Sequence, residues 1–442
     1  MSQNKPSSFR KNLKIQGAKD VLSMVILFGL TAVITRTLGA EKLGELAWAE
    51  TIVLMLSNFG DLGLSRAMMV FVSKARGRGE PNDNPEIRSA LWARMGFIAL
   101  LLVCGGAFAG WESFHNWLEL EFFDADLFRM ALVAAAFALC ERHINPILTG
   151  LERFDWLAIS KLCSLSAYAG ILGTLWGTGT MSPETIMFAI MARGATGALC
   201  GGGFLLIKQR YRLFGMPTVS GFKALSSVSG WTMVSVVSIT LFQRLDTLML
   251  ASMVGSTSVG IYNVGQKSTQ MLHKAMGSFM NVLFPKIAAM DDPDEIARLL
   301  RLIFRRSLYL TLGLLPFYAL SPYWVVLYFG EEFAPSVFIF QVLFIRFLTQ
   351  LFVSHFGHVF YAFNKPWILS VTNICQAIAN FGGNLWLIPL YGEAGAALAT
   401  LLTAVPALIL FTWGLRWTLN GARAERAAQK LAQDSAQDEA SP

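Results

Sequence analysis

Residues 259–284 read VGIYNVGQKSTQMLHKAMGSFMNVLF, long and apolar enough to cross a bilayer as a helix, yet carrying Lys267 and Lys274. On a helix, Asn263, Lys267, Gln270, Lys274, Ser278 and Asn281 recur at three- and four-residue steps, so they form one stripe down one face. A basic stripe inside a membrane is costly unless it lines water. The stretch therefore predicts a helical membrane protein with a wet passage suited to an anion.

The whole chain agrees with that stretch. A hydrophobic fraction of 54%, a charged fraction of only 15% and a mean hydropathy of +0.50 exclude an ordinary soluble domain. The net charge of +7 does not point to nucleic acid, because the cations cluster in short loops between apolar runs. Membrane lipid is the expected surroundings. Cys104, Cys140, Cys163, Cys200 and Cys375 lie in apolar stretches without metal-ligand spacing and read as small packing residues. The polar, basic residues through Lys19 lack a cleavable signal pattern, so the first apolar run is expected to stay in the membrane.

Twelve segments fit a span of about 20 apolar residues. They are 20–38, 45–66, 90–110, 127–148, 156–178, 185–207, 225–253, 259–284, 303–329, 335–361, 367–389 and 394–417. Alternate loops carry the cations, among them Lys11, Lys14, Lys74, Arg76, Arg153, Lys208, Arg212, Lys286, Arg305, Arg306, Lys365 and Arg423. The opposite loops carry Glu112, Glu119, Glu121, Asp124, Asp126, Glu331, Glu332 and Glu393. The positive-inside rule then places both termini in the cytoplasm. The expected layout is all-α: a cytoplasmic segment 1–19, a six-helix lobe 20–207, a linker 208–224, a second six-helix lobe 225–417 and a disordered tail 418–442.

An internal repeat supports two lobes. Leu38-Gly39-Ala40-Glu41-Lys42-Leu43-Gly44 and Val254-Gly255-Ser256-Thr257-Ser258-Val259-Gly260 share their glycine spacing at an offset of 216. That offset carries Lys267, Lys274 and Asn281 onto Thr51, Asn58 and Ser65. With Asp61 these form a polar stripe in the second span. The repeats would flank a central cavity, related by an axis along the membrane normal.

Further cations lie at depth. At 1.5 Å per residue, Arg193 sits about 13 Å into the sixth span and Arg346 about 18 Å into the tenth, while Arg244 falls in the outer half of the seventh. A cation at the bilayer centre facing lipid costs about 2.5–3.5 kcal/mol, so five together would cost on the order of 10–15 kcal/mol. Acids at depth are few: Asp20, Glu50, Asp61, Glu141 and Asp246. Lys267, Lys274, Arg193, Arg244 and Arg346 are thus the candidate anion-binding cations. Asn58, Asp61, Asn263, Gln270 and Asn281 are the candidate hydrogen-bonding stripe. Asp246, expected to pair with a neighbouring helix, and His355 are candidates for ion coupling. Arg36, Arg66, Arg94 and Arg129 lie near span ends, where a long side chain can snorkel to the headgroups. Glu141, Arg142 and His143 read as a structural cluster.

No phosphate-binding loop, His-Glu-x-x-His, Cys-x-x-Cys or Gly-x-Ser-x-Gly signature occurs. The expectation is a transporter without metal or cofactor rather than an enzyme.

Several segments resemble the polysaccharide flippases of the Wzx type. They are 36–44 at the end of the first span, Gly150-Leu151-Glu152-Arg153-Phe154 after the fourth, and Leu245-Asp246-Thr247-Leu248-Met249-Leu250 with Val259-Gly260-Ile261-Tyr262. Pro285-Lys286-Ile287-Ala288 and Ile388-Pro389-Leu390-Tyr391-Gly392-Glu393-Ala394-Gly395 complete the set, in order along nearly the whole chain. The resemblance implies the multidrug/oligosaccharidyl-lipid/polysaccharide exporter superfamily and a bacterial inner-membrane location. It implies a polyprenyl-pyrophosphate-linked glycan as cargo, moved from the cytoplasmic to the periplasmic leaflet for O-antigen, capsule or exopolysaccharide synthesis. Polysaccharide polymerase and chain-length machinery are the partners it suggests. A peptidoglycan-precursor flippase, a drug exporter of the same superfamily and a membrane glycan polymerase or ligase are the alternatives. A drug exporter for cations calls for an acidic cavity, and a polymerase for a sizeable outer loop.

Overall fold

The computed structural model describes residues 6–79, 84–109, 124–288, 293–363, 365 and 367–440. Among them are thirteen α-helices, one short 3-10 turn and no strand. In order these are α1 (Pro6–Asp61), α2 (Leu64–Gly77), α3 (Pro85–Ala109), α4 (Ala125–Gly150), α5 (Phe154–Thr178), α6 (Pro183–Ile207) and α7 (Val219–Met253). There follow α8 (Ser256–Ala288), α9 (Pro293–Ala319), α10 (Ser321–Phe329), the 3-10 turn Glu331–Phe333, α11 (Ser336–Ala362), α12 (Trp367–Leu402) and α13 (Ala404–Ala440).

The twelve expected apolar segments lie largely on helix, the second being broken by a turn at Leu62 and Gly63, and the breaks follow backbone chemistry. The 56 residues of α1 would run about 84 Å if straight, far beyond a hydrocarbon core of about 30 Å. The chain divides at Gly39, whose φ of 74° favours a residue without Cβ. Gly392 (φ 56°) divides α12 in the same way, three residues after Pro389. The ninth expected span is two pieces, α9 and α10, bent by 59°. An interruption the apolar pattern hides lies between α12 and α13 at Thr403. Pro406 explains it: its ring nitrogen cannot donate to the Leu402 carbonyl one turn back.

Among the described residues, seven helical stretches are long and apolar enough to cross a membrane, or eight with the bent pair counted as one span. Two of them, Leu22–Asp61 and Trp367–Ala428, each hold two expected spans. The protein is thus an all-helical, multi-pass membrane protein. Helices α4 and α8 are not among the seven, because Glu141, Arg142 and His143 on one, and Lys267 and Lys274 on the other, lower their hydropathy. These are the helices with a polar side to shelter.

The chain divides into two compact units, Met1–Asn263 with Tyr328–Phe333, and Val264–Leu327 with Ala334–Pro442. In the first, α4 packs on α6, α1, α2 and α3, and α5 packs on α6 and α1. Helix α7 packs on α1, α2 and α3, so the seventh span groups with the first six. Leu64, Met68, Ile87, Ile147, Leu148 and Leu205 belong to its buried core. In the second unit, α11, α12 and α13 pack pairwise, and α9 packs on α11 and α13.

The repeat offset is written into the first unit's backbone. Gly39 and Gly255, equivalent under the offset, both have positive φ, 74° and 119°. A Cβ on Gly44 would strike the backbone carbonyl of Ser256, and a Cβ on Gly260 would strike that of Ala40. Ala40 and Ser256 are themselves equivalent. The start of α8 and the second half of α1 therefore cross reciprocally, each glycine admitting the other helix's backbone.

Candidate substrate site

Arg193 and Arg244 both belong to the first unit. Arg193, half-buried on α6, holds its guanidinium carbon 5.7 Å from the ring centroid of Tyr168 on α5, a cation–π distance. Glu50 on α1 acts electrostatically on both Tyr168 and Arg244. Arg244 is half-buried on α7. Asp246, two residues on, faces another way, as a helix requires. Its carboxylate accepts a 2.6 Å hydrogen bond from the Tyr262 hydroxyl of the neighbouring α8.

The amide stripe is partly engaged. Asn58 Nδ2 donates to Thr240 Oγ1 at 3.0 Å and ties α1 to α7. Asn263 is buried, and its Oδ1 has no hydrogen-bond partner among the described residues. In the second unit, Lys267 and Gln270 are half-buried on α8. The side chains of Lys274, Asn281 and His355 lie outside the described residues, as do the loop residues Glu112, Glu119 and Glu121.

Two sequence expectations for the first unit need correction. Asp61 does not join an open polar stripe: it is ion-paired with Arg94 and also accepts from Ser65 Oγ, both within the protein. Arg94 does not snorkel. Helix α3 starts at Pro85, which sets Arg94 about 14 Å along it, and the residue is 1% exposed. The expected cluster at Glu141 gains a partner that sequence reading missed, since Lys161 Nζ on α5 meets Glu141 Oε1 at 2.6 Å. A lysine one helix away leaves no periodic signal linking it to that acid.

Glu332, read as a generic acidic loop residue, has a defined position. Its Oε1 accepts the Ala40 backbone N–H at 2.9 Å, satisfying a donor freed where α1 restarts after Gly39. Arg36, exposed as a snorkelling residue should be, donates through Nε to the Tyr328 carbonyl at 3.0 Å. The Tyr328 hydroxyl in turn donates to the Phe28 carbonyl.

Arg346 is 7% exposed. Its Nε donates to Thr403 Oγ1 at 3.0 Å, and its Nη1 is buried without a hydrogen-bond partner among the described residues. A residue so enclosed by α11, α12 and α13 cannot line a passage wide enough for a sugar headgroup. Its assignment to such a passage is therefore corrected.

Apolar helices that repeatedly span the membrane, several carrying half-buried cations, define a multi-pass membrane protein. Solved structures share the fold. An inward-facing multidrug-resistance MATE transporter of the MOP superfamily is similar at 12% identity, over 93% of this chain and 99% of that one, with a TM-score of 0.68. The lipid II flippase MurJ, inward closed, is similar at 14% identity over 92% and 89%, with a TM-score of 0.64. A MOP-superfamily transporter from Pyrococcus furiosus, whose binding pocket is described as of reverse polarity, is similar at 14% over 93% and 97%, with a TM-score of 0.57. No curated protein matches the chain. The family described as "Polysaccharide biosynthesis protein" matches residues 10–291, well over half of the sequence, and the chain belongs to that family.

Proposed function

We propose that the protein is a flippase that moves a polyprenyl-pyrophosphate-linked oligosaccharide from the cytoplasmic to the periplasmic leaflet of the bacterial inner membrane, by alternating access. The observation that carries this reading is the set of half-buried cations, Arg193, Arg244 and Lys267, held within spans where lipid cannot neutralise them. Lys274 joins them by its position on the Lys267 stripe. These cations offset the cost of carrying a phosphate charge across the hydrocarbon layer, while the polyprenyl chain stays in lipid. Asn58, Gln270 and Asn281 offer amides to sugar hydroxyls, whereas Asn263 is too enclosed to do so, and Asp246 and His355 are the groups available for ion coupling. Both termini face the cytoplasm in this reading, with the acidic turn at Glu331 and Glu332 outside. Membership of a polysaccharide-biosynthesis family supports a surface polysaccharide such as O-antigen, capsule or exopolysaccharide as the end product. No catalytic step is assigned; polymerase and chain-length machinery would act on the delivered unit.

The test is leaflet-resolved. A strain lacking the gene should accumulate its lipid-linked glycan on the cytoplasmic face. Lys267→Gln with Lys274→Gln should insert normally yet translocate at least tenfold more slowly. Full translocation by that double variant would refute the reading. Accumulation of a peptidoglycan precursor instead of an oligosaccharide lipid would reassign the cargo.

A further inference from the structure

Arg346 lies ten residues into α11, about 15 Å from its start, close to mid-membrane. On α12, Thr372, Gln376, Asn380 and Asn384 recur at every fourth residue, all buried in one stripe. Thr403, in the gap between α12 and α13, accepts from Arg346 Nε and donates to the Thr400 carbonyl at 2.6 Å. Gln376 Nε2 reaches the Thr403 carbonyl, and Asn380 Nδ2 reaches Thr400 Oγ1, each at 3.4 Å. From α8, His273 stacks edge-on against Phe347, and its Nδ1 bonds the Thr269 carbonyl. Interrupted helix at membrane depth occurs where protein or a polar cavity shelters the freed backbone, and such breaks are ion-binding positions in transporters.

The charge balance of this cluster is one-sided. Residues 264–290, 296–327, 334–392 and 394–424 contain no Asp or Glu, so no span of the second unit offers Arg346 a carboxylate. Thr, Asn and Gln supply dipoles but no countercharge. A buried guanidinium without one is among the costliest groups in a protein interior. A metal cation would be repelled, and a large headgroup has no access to a residue 93% enclosed. What fits is a small, singly charged anion at Nη1, which has no hydrogen-bond partner among the described residues.

We propose that Arg346 and the interruption at Thr403 form a binding site for a halide-sized inorganic anion inside the second unit, separate from the lipid-linked cargo. The anion neutralises the guanidinium and thereby stabilises the packing of α11, α12 and α13. The site stands whether or not the cargo is a lipid-linked glycan.

Thermal unfolding of the purified full-length protein in detergent, in sodium chloride against sodium gluconate at equal ionic strength, tests it. At chloride near 100 times its dissociation constant, the midpoint should rise by roughly 2–5 °C. Bromide should reproduce the rise, and Arg346→Gln should abolish it. Equal midpoints in chloride and gluconate, or an undiminished rise in Arg346→Gln, would overturn the site. A rise with inorganic phosphate but not chloride would overturn the halide assignment, giving the cluster to a phosphate-bearing ligand. Should Arg346→Gln fail to fold, equilibrium dialysis with radiolabelled chloride on the natural protein and Thr403→Val replaces it. One bound chloride weakened at least fivefold by Thr403→Val supports the site, and no bound chloride refutes it.

Discussion

Asp61→Asn separates a structural from a transport role for the buried pair between α1 and α3. The Asp61 and Arg94 side chains are 6% and 1% exposed. Asparagine keeps the shape and an acceptor for Ser65, yet strands the guanidinium, whose Nε and Nη1 are already buried without hydrogen-bond partners among the described residues. Removing one member of a buried pair costs about 3–5 kcal/mol. An unfolding entropy of roughly 2.1 cal/mol/K per residue, summed over a unit of this size, makes each kcal/mol worth about 2 °C. The midpoint should therefore fall by roughly 5–9 °C, read by circular dichroism or tryptophan fluorescence in detergent. Asp61→Leu with Arg94→Met should recover most of that loss, because neither charge is then stranded. An unchanged midpoint combined with lost translocation would refute the assignment and return Asp61 to the substrate path.

Gly260→Val puts a branched side chain where even a Cβ meets the Ala40 carbonyl; little folded protein should be recovered by size-exclusion chromatography, whereas Gly313→Ala, with open space at its Cβ, should behave normally. Glu332→Ala removes the acceptor for the Ala40 N–H, a helix-cap loss of about 1 kcal/mol, and should raise amide hydrogen exchange near residues 40–43 without altering the rest of α1. Arg193→Leu and Arg244→Leu should each slow cargo translocation at least tenfold in vesicles, with melting temperature changed by less than about 2 °C; a large fall in melting temperature in either would make that cation structural.

Where the backbone must break was legible at some glycines but not at Gly63, whose positive φ interrupts the expected second span. Gly39, Gly255 and Gly392 punctuate the apolar runs, and each has positive φ. Thr403 was not legible, because apolar residues continue across the gap and mask the cue, which is Pro406 and its missing donor. Charge at depth was countable, but its pairing was not. Arg94 read as a span-end residue because the polar start of α3 from Pro85 dilutes the hydropathy that locates a span. Lys161 sits among polar residues of α5 and betrays nothing of Glu141 until the helices pack. Periodicity reports which residues share a face; it does not report which faces meet.

The pairings nevertheless order the cations by what they can do. The in-span acids with described side chains all lie in the first unit, where Asp61 meets Arg94, Glu141 meets Lys161, Asp246 meets Tyr262, and Glu50 lies near Arg244. The second unit's spans carry Lys267, Lys274 and Arg346 and contain no Asp or Glu of their own. A cation balanced by a fixed carboxylate gains little from a mobile anion, since the two compete for it. One without such a partner gains the full difference in charge stabilisation when an anion arrives. An anion-dependent step at enclosed Arg346, whose Nη1 has no hydrogen-bond partner among the described residues, should therefore be the most sensitive to substitution. Substituting the first unit's paired cations Arg94 and Lys161 should instead act mainly on folding.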